Sequence, residues 1–146
     1  MKQETKELKS VVEGFICKLI VSGKSYIDQK KLQNALTDCE VLKGTKEEIS
    51  QSLDKVIYTL YYSRRIIPDV LEGKGFIITE RNGEHEDAII ESLKRAPRAL
   101  CSSRLYSHNE AKEHLNKMPA NSRQTVDELY TSYSTNRYES RQIFGV

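Results

Sequence analysis

A mostly α, α+β fold is what this sequence predicts, and two features carry the prediction. Apolar side chains recur every three to four positions through most of the chain, the period of a helix with one buried face. Between Arg65 and Glu80 that period shortens towards two, in a stretch rich in Ile, Val and Phe with Gly73-Lys74-Gly75 at its middle. Alternation of that kind belongs to strands, and glycines supply the backbone angles that tight hairpins need.

The elements follow in order. Leu8, Val11, Val12, Phe15, Ile16, Leu19 and Ile20 form the apolar stripe of a first helix, which Gly23 stops. Ser25-Tyr26-Ile27 reads as a short extended piece. Asp28 is placed as the N-cap of a second helix with Leu32, Ala35 and Leu36 on one face. Thr37 to Gly44 is a connection carrying Val41 and Leu42. Thr45 opens a third helix through a capping box, its oxygen meeting a backbone N–H while Glu48 reaches back to the cap. Ile49, Leu53, Val56, Ile57 and Leu60 then make a continuous apolar stripe.

Arg65–Leu71 and Gly75–Glu80 are the two strands of a hairpin. Pro68 cannot donate to a ladder, which favours an edge strand. Arg81-Asn82-Gly83 is a turn and a module boundary. Beyond it, Glu84–Ala96 reads as a helix with Ile89, Ile90 and Leu93 facing one way, stopped by Pro97. Arg98 to Leu105 has no decisive pattern. Ser107 and Glu110 are a second capping box, for a helix that ends before Pro119. Thr125 and Glu128 read as a third, opening a short helix with Val126, Leu129, Tyr130 and Tyr133. Ser134 to Val146 is polar.

Composition narrows the function class. The 146 residues are 38% hydrophobic and 30% charged, enough apolar material for a core under a highly charged surface. Lys and Arg total 23 against 21 Asp and Glu, so any attraction to nucleic acid must come from local clustering of charge. Cys17, Cys39 and Cys101 have no CxxC spacing and form no closed disulfide framework; reduced cysteines and a cytoplasmic location are expected. Met1 to Ser10 has no apolar h-region, and Val11 to Val21 is too short and too charged to span a membrane.

Enzyme chemistry finds no support. His85, His108 and His114 are the histidines, and the last two are six apart, so they do not stack on one helix face as an HExxH pair does. There is no P-loop and no GxGxxG. The expectation is a non-enzyme with no metal and no cofactor.

The order helix, short strand, helix, helix, hairpin over residues 8–80 resembles the winged-helix variant of the helix-turn-helix. In that arrangement the third helix lies in the DNA major groove and the hairpin wing touches the backbone or minor groove. The connection between the second and third helices is longer here than the usual tight turn. Ile67-Pro68-Asp69-Val70-Leu71-Glu72-Gly73-Lys74-Gly75 resembles the wing of the enterobacterial CaiF/GrlA-type transcriptional activators, which implies an activator acting at promoter DNA. Phe76-Ile77-Ile78 stands where that family carries a Cys-rich segment.

The divisions that follow are a winged-helix domain over 1–81, a helical extension over 82–133 and a polar tail over 134–146. With Ile49, Leu53, Val56 and Leu60 inward, the helical wheel turns Gln51, Lys55, Tyr58 and Tyr62 outward. Gln can bridge adenine N6 and N7, Lys can donate to guanine, and Tyr can reach phosphate or sugar. Glu47 and Asp54 share that face and repel phosphates. Arg64, Arg65, Lys74 and Arg81 decorate the hairpin, as phosphate contacts or as charges guarding an edge strand. Lys94, Arg95, Arg98 and Arg104 form a secondary basic patch in a run with no acid between Ser92 and Asn109.

The function read from the sequence is a sequence-specific DNA-binding transcriptional regulator, with double-stranded DNA as partner. The alternative is a protein–protein interaction module, such as a small phage or mobile-element protein that inhibits or adapts a host factor. The segment after Gly83 is expected either to build a homodimer or to pack back on the N-terminal domain.

Overall fold

A computed structural model describes residues 3–39, 44–63, 65–78, 86–95 and 105–135. Their elements run α1 (Gln3–Val21), β1 (Tyr26–Asp28), α2 (Gln29–Asp38), α3 (Lys46–Tyr62), β2 (Ile67–Pro68), β3 (Gly75–Ile77), α4 (Glu86–Arg95), α5 (His108–Lys117) and α6 (Ala120–Thr135). The architecture is α+β and mostly α. No helix among the described residues is long and apolar enough to cross a membrane.

Local chemistry sets the helix ends. Gly23 has φ +81 and closes α1. The Asp28 carboxylate accepts from the Lys31 N–H at 2.8 Å and starts α2. The Thr45 hydroxyl accepts from the Glu48 N–H at 3.2 Å; Glu48 answers by accepting from that hydroxyl, not from the cap's backbone. Ser107 caps α5 in the same way through Glu110.

The last helix departs from the reading of Thr125 as a cap. α6 begins at Ala120, directly after Pro119, and Thr125 lies inside it with its hydroxyl donating to the Asn121 carbonyl. Proline at a helix start gives up an N–H that would have no helical partner there. The break before Pro119 is therefore a corner between two helices, and the second starts six residues earlier than the Thr125 box implies.

The sheet is antiparallel with order β1-β3-β2. Tyr26 stands opposite Ile77 and Asp28 opposite Gly75, while Ile67 pairs with Ile77 on the other side. The hairpin is present but shorter than the period-two stretch: pairing is confined to Ile67–Pro68 and Gly75–Ile77. Residues 79–80 lie outside the described residues. Pro68 is on an edge strand. α4 covers that edge, where the nearly buried Ser92 hydroxyl donates to the Pro68 carbonyl.

The main core joins α1, α2 and α3 to Ile78, Tyr106, Ala111 and Leu129. A second, smaller core of Ile67, Ile77, Ala88 and Leu105 lies beneath α4. Along α4 Ala88 and Ser92 are buried and Ile89 packs on the smaller core, whereas Ile90, expected on the same face as Ile89, is 44% exposed; the Leu93 side chain lies outside the described residues. Val126 and Leu129 are fully buried, and Tyr130 and Tyr133 pack on the main core. The aromatic side of α6 thus packs in part against α1 and α2 within the chain.

Candidate nucleic-acid interface

α3 is held by Ile49, Leu53, Val56, Ile57 and Leu60, all buried. That stripe fixes the opposite face. Gln51, Lys55, Tyr58 and Tyr62 are all exposed, the two tyrosines at 63% and 57%. The rings of Tyr58 and Tyr62 lie 4.5 Å apart, and Tyr61, half-buried against the core, meets Tyr62 edge-on at 5.3 Å. The hydrogen bond with Tyr62, then its charge, raise the Tyr58 pKa. The two rings form a small exposed aromatic patch on the outer side of α3. Glu47, Asp54 and Lys55 share the exposed side. Glu47 and Glu48 sit in the first turn, where the helix dipole favours acids.

The hairpin tip is built on one carboxylate. Asp69 is 3% exposed. One of its oxygens accepts from the N–H groups of Leu71 and Glu72, at 3.1 and 3.2 Å. Its backbone closes the turn through Gly73 N–H to Asp69 C=O at 2.8 Å and Asp69 N–H to Gly75 C=O at 3.0 Å. Gly73 has φ +68, which L side chains rarely adopt. A Cβ on Gly75 would come within 1.8 Å of the Ile27 carbonyl oxygen, so only glycine lets β1 approach β3 there. Lys74 stands exposed between the two glycines. Sequence reading missed Asp69; an Asp followed by backbone donors two and three residues on is an Asx turn, and that was the available signal.

Gln29 ties this tip to α3. Its backbone N–H donates to the Lys74 carbonyl at 3.1 Å. Its side-chain amide donates to the Asp54 carboxylate at 3.2 Å. The start of α2, the hairpin tip and the outer face of α3 therefore meet at one residue, with exposed Lys30 beside it. Neither Gln29 nor Lys30 was singled out from the sequence, although two lysines directly after an N-cap are visible there. A groove of about 370 Å³ between α2 and α3, lined by Gln33, Lys46, Glu47, Ser50 and Gln51, continues this surface.

The other sequence-predicted residues are placed differently. The Arg65 guanidinium stacks on the Tyr106 ring, 4.2 Å from its centroid. The Tyr106 hydroxyl in turn donates to Glu13 at 2.9 Å. Arg65 thus packs on the segment before α5, and through Tyr106 that contact reaches Glu13 of α1. Lys94 is exposed and pairs with Glu91 at 3.6 Å. Arg64, Arg81, Arg98, Arg104 and the side chain of Arg95 lie outside the described residues, as do Val41, Leu42 and Cys101.

Among the described residues no cluster of three His, Cys, Asp or Glu is arranged to hold a metal ion. Cys17 is buried in the main core, and burial, reinforced by the Glu13 charge, pushes its thiol up to about 12. Such a thiol is a small hydrophobe rather than a nucleophile. No family model, curated protein or solved structure matches this chain.

Proposed function

We propose that the chain is a sequence-specific DNA-binding transcriptional regulator of the winged-helix type. α3 enters the major groove and the β2–β3 hairpin lies on the backbone. One observation carries the reading: the Gln51–Lys55–Tyr58–Tyr62 face of α3 and the Lys74 tip are joined through Gln29 into one exposed surface. The α1-β1-α2-α3-β2-β3 order with β1 beside β3 supports it, because a third helix followed by a hairpin is the element order of a winged helix-turn-helix. Gln51 and Lys55 are one helical turn apart and can reach adjacent base edges.

A titration of fluorescent duplex DNA tests this as salt is varied. Affinity should fall steeply with salt, and a K55A/Q51A variant should lose discrimination between duplexes. No binding at low salt would contradict the reading.

A second reading is favoured by a separate observation. Glu47 and Asp54 stand on the same face as the two exposed tyrosines. A mixed acidic and aromatic surface suits a protein partner, since tyrosine is enriched at protein interfaces. In that case salt-dependent DNA binding is absent, and Y58A/Y62A abolishes capture of the partner.

A further inference from the structure

We infer that Tyr133, near the C-terminal end of α6, is a positioning residue for the surface formed by α2, the wing tip and α3. The inference about function rests on the DNA-binding reading; the inference about geometry does not.

Tyr133 is 105 residues from the site it supports. Its hydroxyl accepts from the Asp28 N–H at 3.0 Å. Asp28 is both the last residue of β1 and the N-cap of α2. The next residue is Gln29, which reaches the Lys74 carbonyl with its backbone and Asp54 with its side chain. The ammonium of Lys31, whose N–H the Asp28 carboxylate accepts, lies 4.8 Å from the centre of the Tyr133 ring. The ring is fixed from the other side by Phe15 of α1, edge-on with centroids 5.0 Å apart. A single phenol therefore grips the backbone at the point from which the wing and the reading helix are both held.

The physical argument is one of precision rather than gross stability. Contacts to base edges tolerate displacements of a few tenths of an ångström, while phosphate contacts made by flexible lysines tolerate more. Releasing the Asp28 N–H lets the start of α2 shift and carries Gln29, Lys74 and Asp54 with it. Specific binding should suffer first, and the salt-dependent, non-specific component should survive. α6 is then a part of the reading surface that never touches DNA.

The test compares the full-length protein with Y133F, which keeps the ring against Phe15 and Lys31 but removes the acceptor oxygen. Backbone amide resonances are recorded without DNA, and affinities for a selected and a random duplex are measured with it. The expected result is displaced amide signals at Gln29, Lys74 and Asp54, a melting temperature within a few degrees of the parent, and a roughly tenfold fall in the ratio of specific to random affinity. Unmoved signals at Lys74 and Asp54 would overturn the positioning role, and so would moved signals with an unchanged ratio. If Y133F melts far lower, the amide signals are compared at a temperature where both proteins are fully folded, and F15L, which perturbs the same packing but leaves the Tyr133 hydroxyl in place, must not reproduce the displaced signals at Lys74 and Asp54; equal displacement in F15L also overturns it. A parent protein that binds neither duplex while Y133F still displaces all three signals upholds the geometry and defeats the DNA reading alone.

Discussion

The side-chain amide of Gln29, the first residue of α2, donates to the Asp54 carboxylate of α3 at 3.2 Å. Asp54 is exposed, so its charge faces whatever approaches α3. The contact nevertheless gives that acid a role: it keeps α3 in register with the residue that also holds the wing. D54N should preserve the contact and remove the charge. Under the DNA-binding account, affinity for duplex should rise several-fold at low salt and the gain should shrink as salt is added. Fluorescence titration at two salt concentrations checks this, and a fall in affinity would speak against α3 facing phosphate.

Gln51 and Lys55 are the residues expected to read bases. Q51A and K55A should each cost about 1–3 kcal/mol in specific binding and leave the fold intact, since neither side chain is buried. The check is a paired measurement of affinity and thermal unfolding. Unchanged affinity for both variants would mean this helix face is only solvated.

The wing separates charge from architecture. K74A should reduce the slope of log affinity against log salt by about one and leave folding unaffected. G75A should instead disrupt the sheet, because its Cβ would lie 1.8 Å from the Ile27 carbonyl oxygen. A loss of more than about 3 kcal/mol is expected for that clash, read by chemical denaturation. A G75A protein as stable as the parent would show that β1 and β3 are not paired as described.

Cys17 provides a pH signature of the core. Its folded pKa is raised from 9.0 to about 12, mainly by burial. The unfolded thiol ionises first as pH rises, so the unfolded state is favoured increasingly from about pH 9 upward. Stability from this group is complete below pH 9 and is lost on the way to about pH 12. Denaturant midpoints measured from pH 7 to 11 should fall, and the fall should be shallower in C17A. In a C101S background the native protein should also leave Cys17 unreactive to a thiol reagent, while the half-buried Cys39 reacts faster.

Much of the fold was legible because its signals are local. The stripe of Leu8 to Ile20, the Asp28, Thr45 and Ser107 caps and the change of period after Ser63 each depend on residues within one or two turns of one another. Pro68 announced an edge strand for the same reason. What the sequence hid depends on partners far along the chain. Tyr26–Asp28 was legible as an extended piece, but its pairing with β3 was not, and Ile90 is left outside because Ala88 and Ser92 face β2 and the smaller core. Thr125 has the spacing of a cap, yet Pro119 and the buried Val126 and Leu129 extend the helix past it. The outer face of α3 was readable by elimination once its inner stripe was known. Gln29, Asp69 and Tyr133 were not, since their meaning lies in hydrogen bonds to other elements. The stacking of Arg65 on Tyr106 was equally hidden, since the two are 41 positions apart.

The central claim is that α3 and the wing together read a DNA sequence. Selection from a randomised duplex library, carried out with the parent protein and with Q51A/K55A in parallel, tests it most directly. The account predicts that the parent enriches a defined motif, that the double variant does not, and that both retain weak salt-sensitive binding to the unselected library. A parent protein that enriches no motif above the double variant would contradict it.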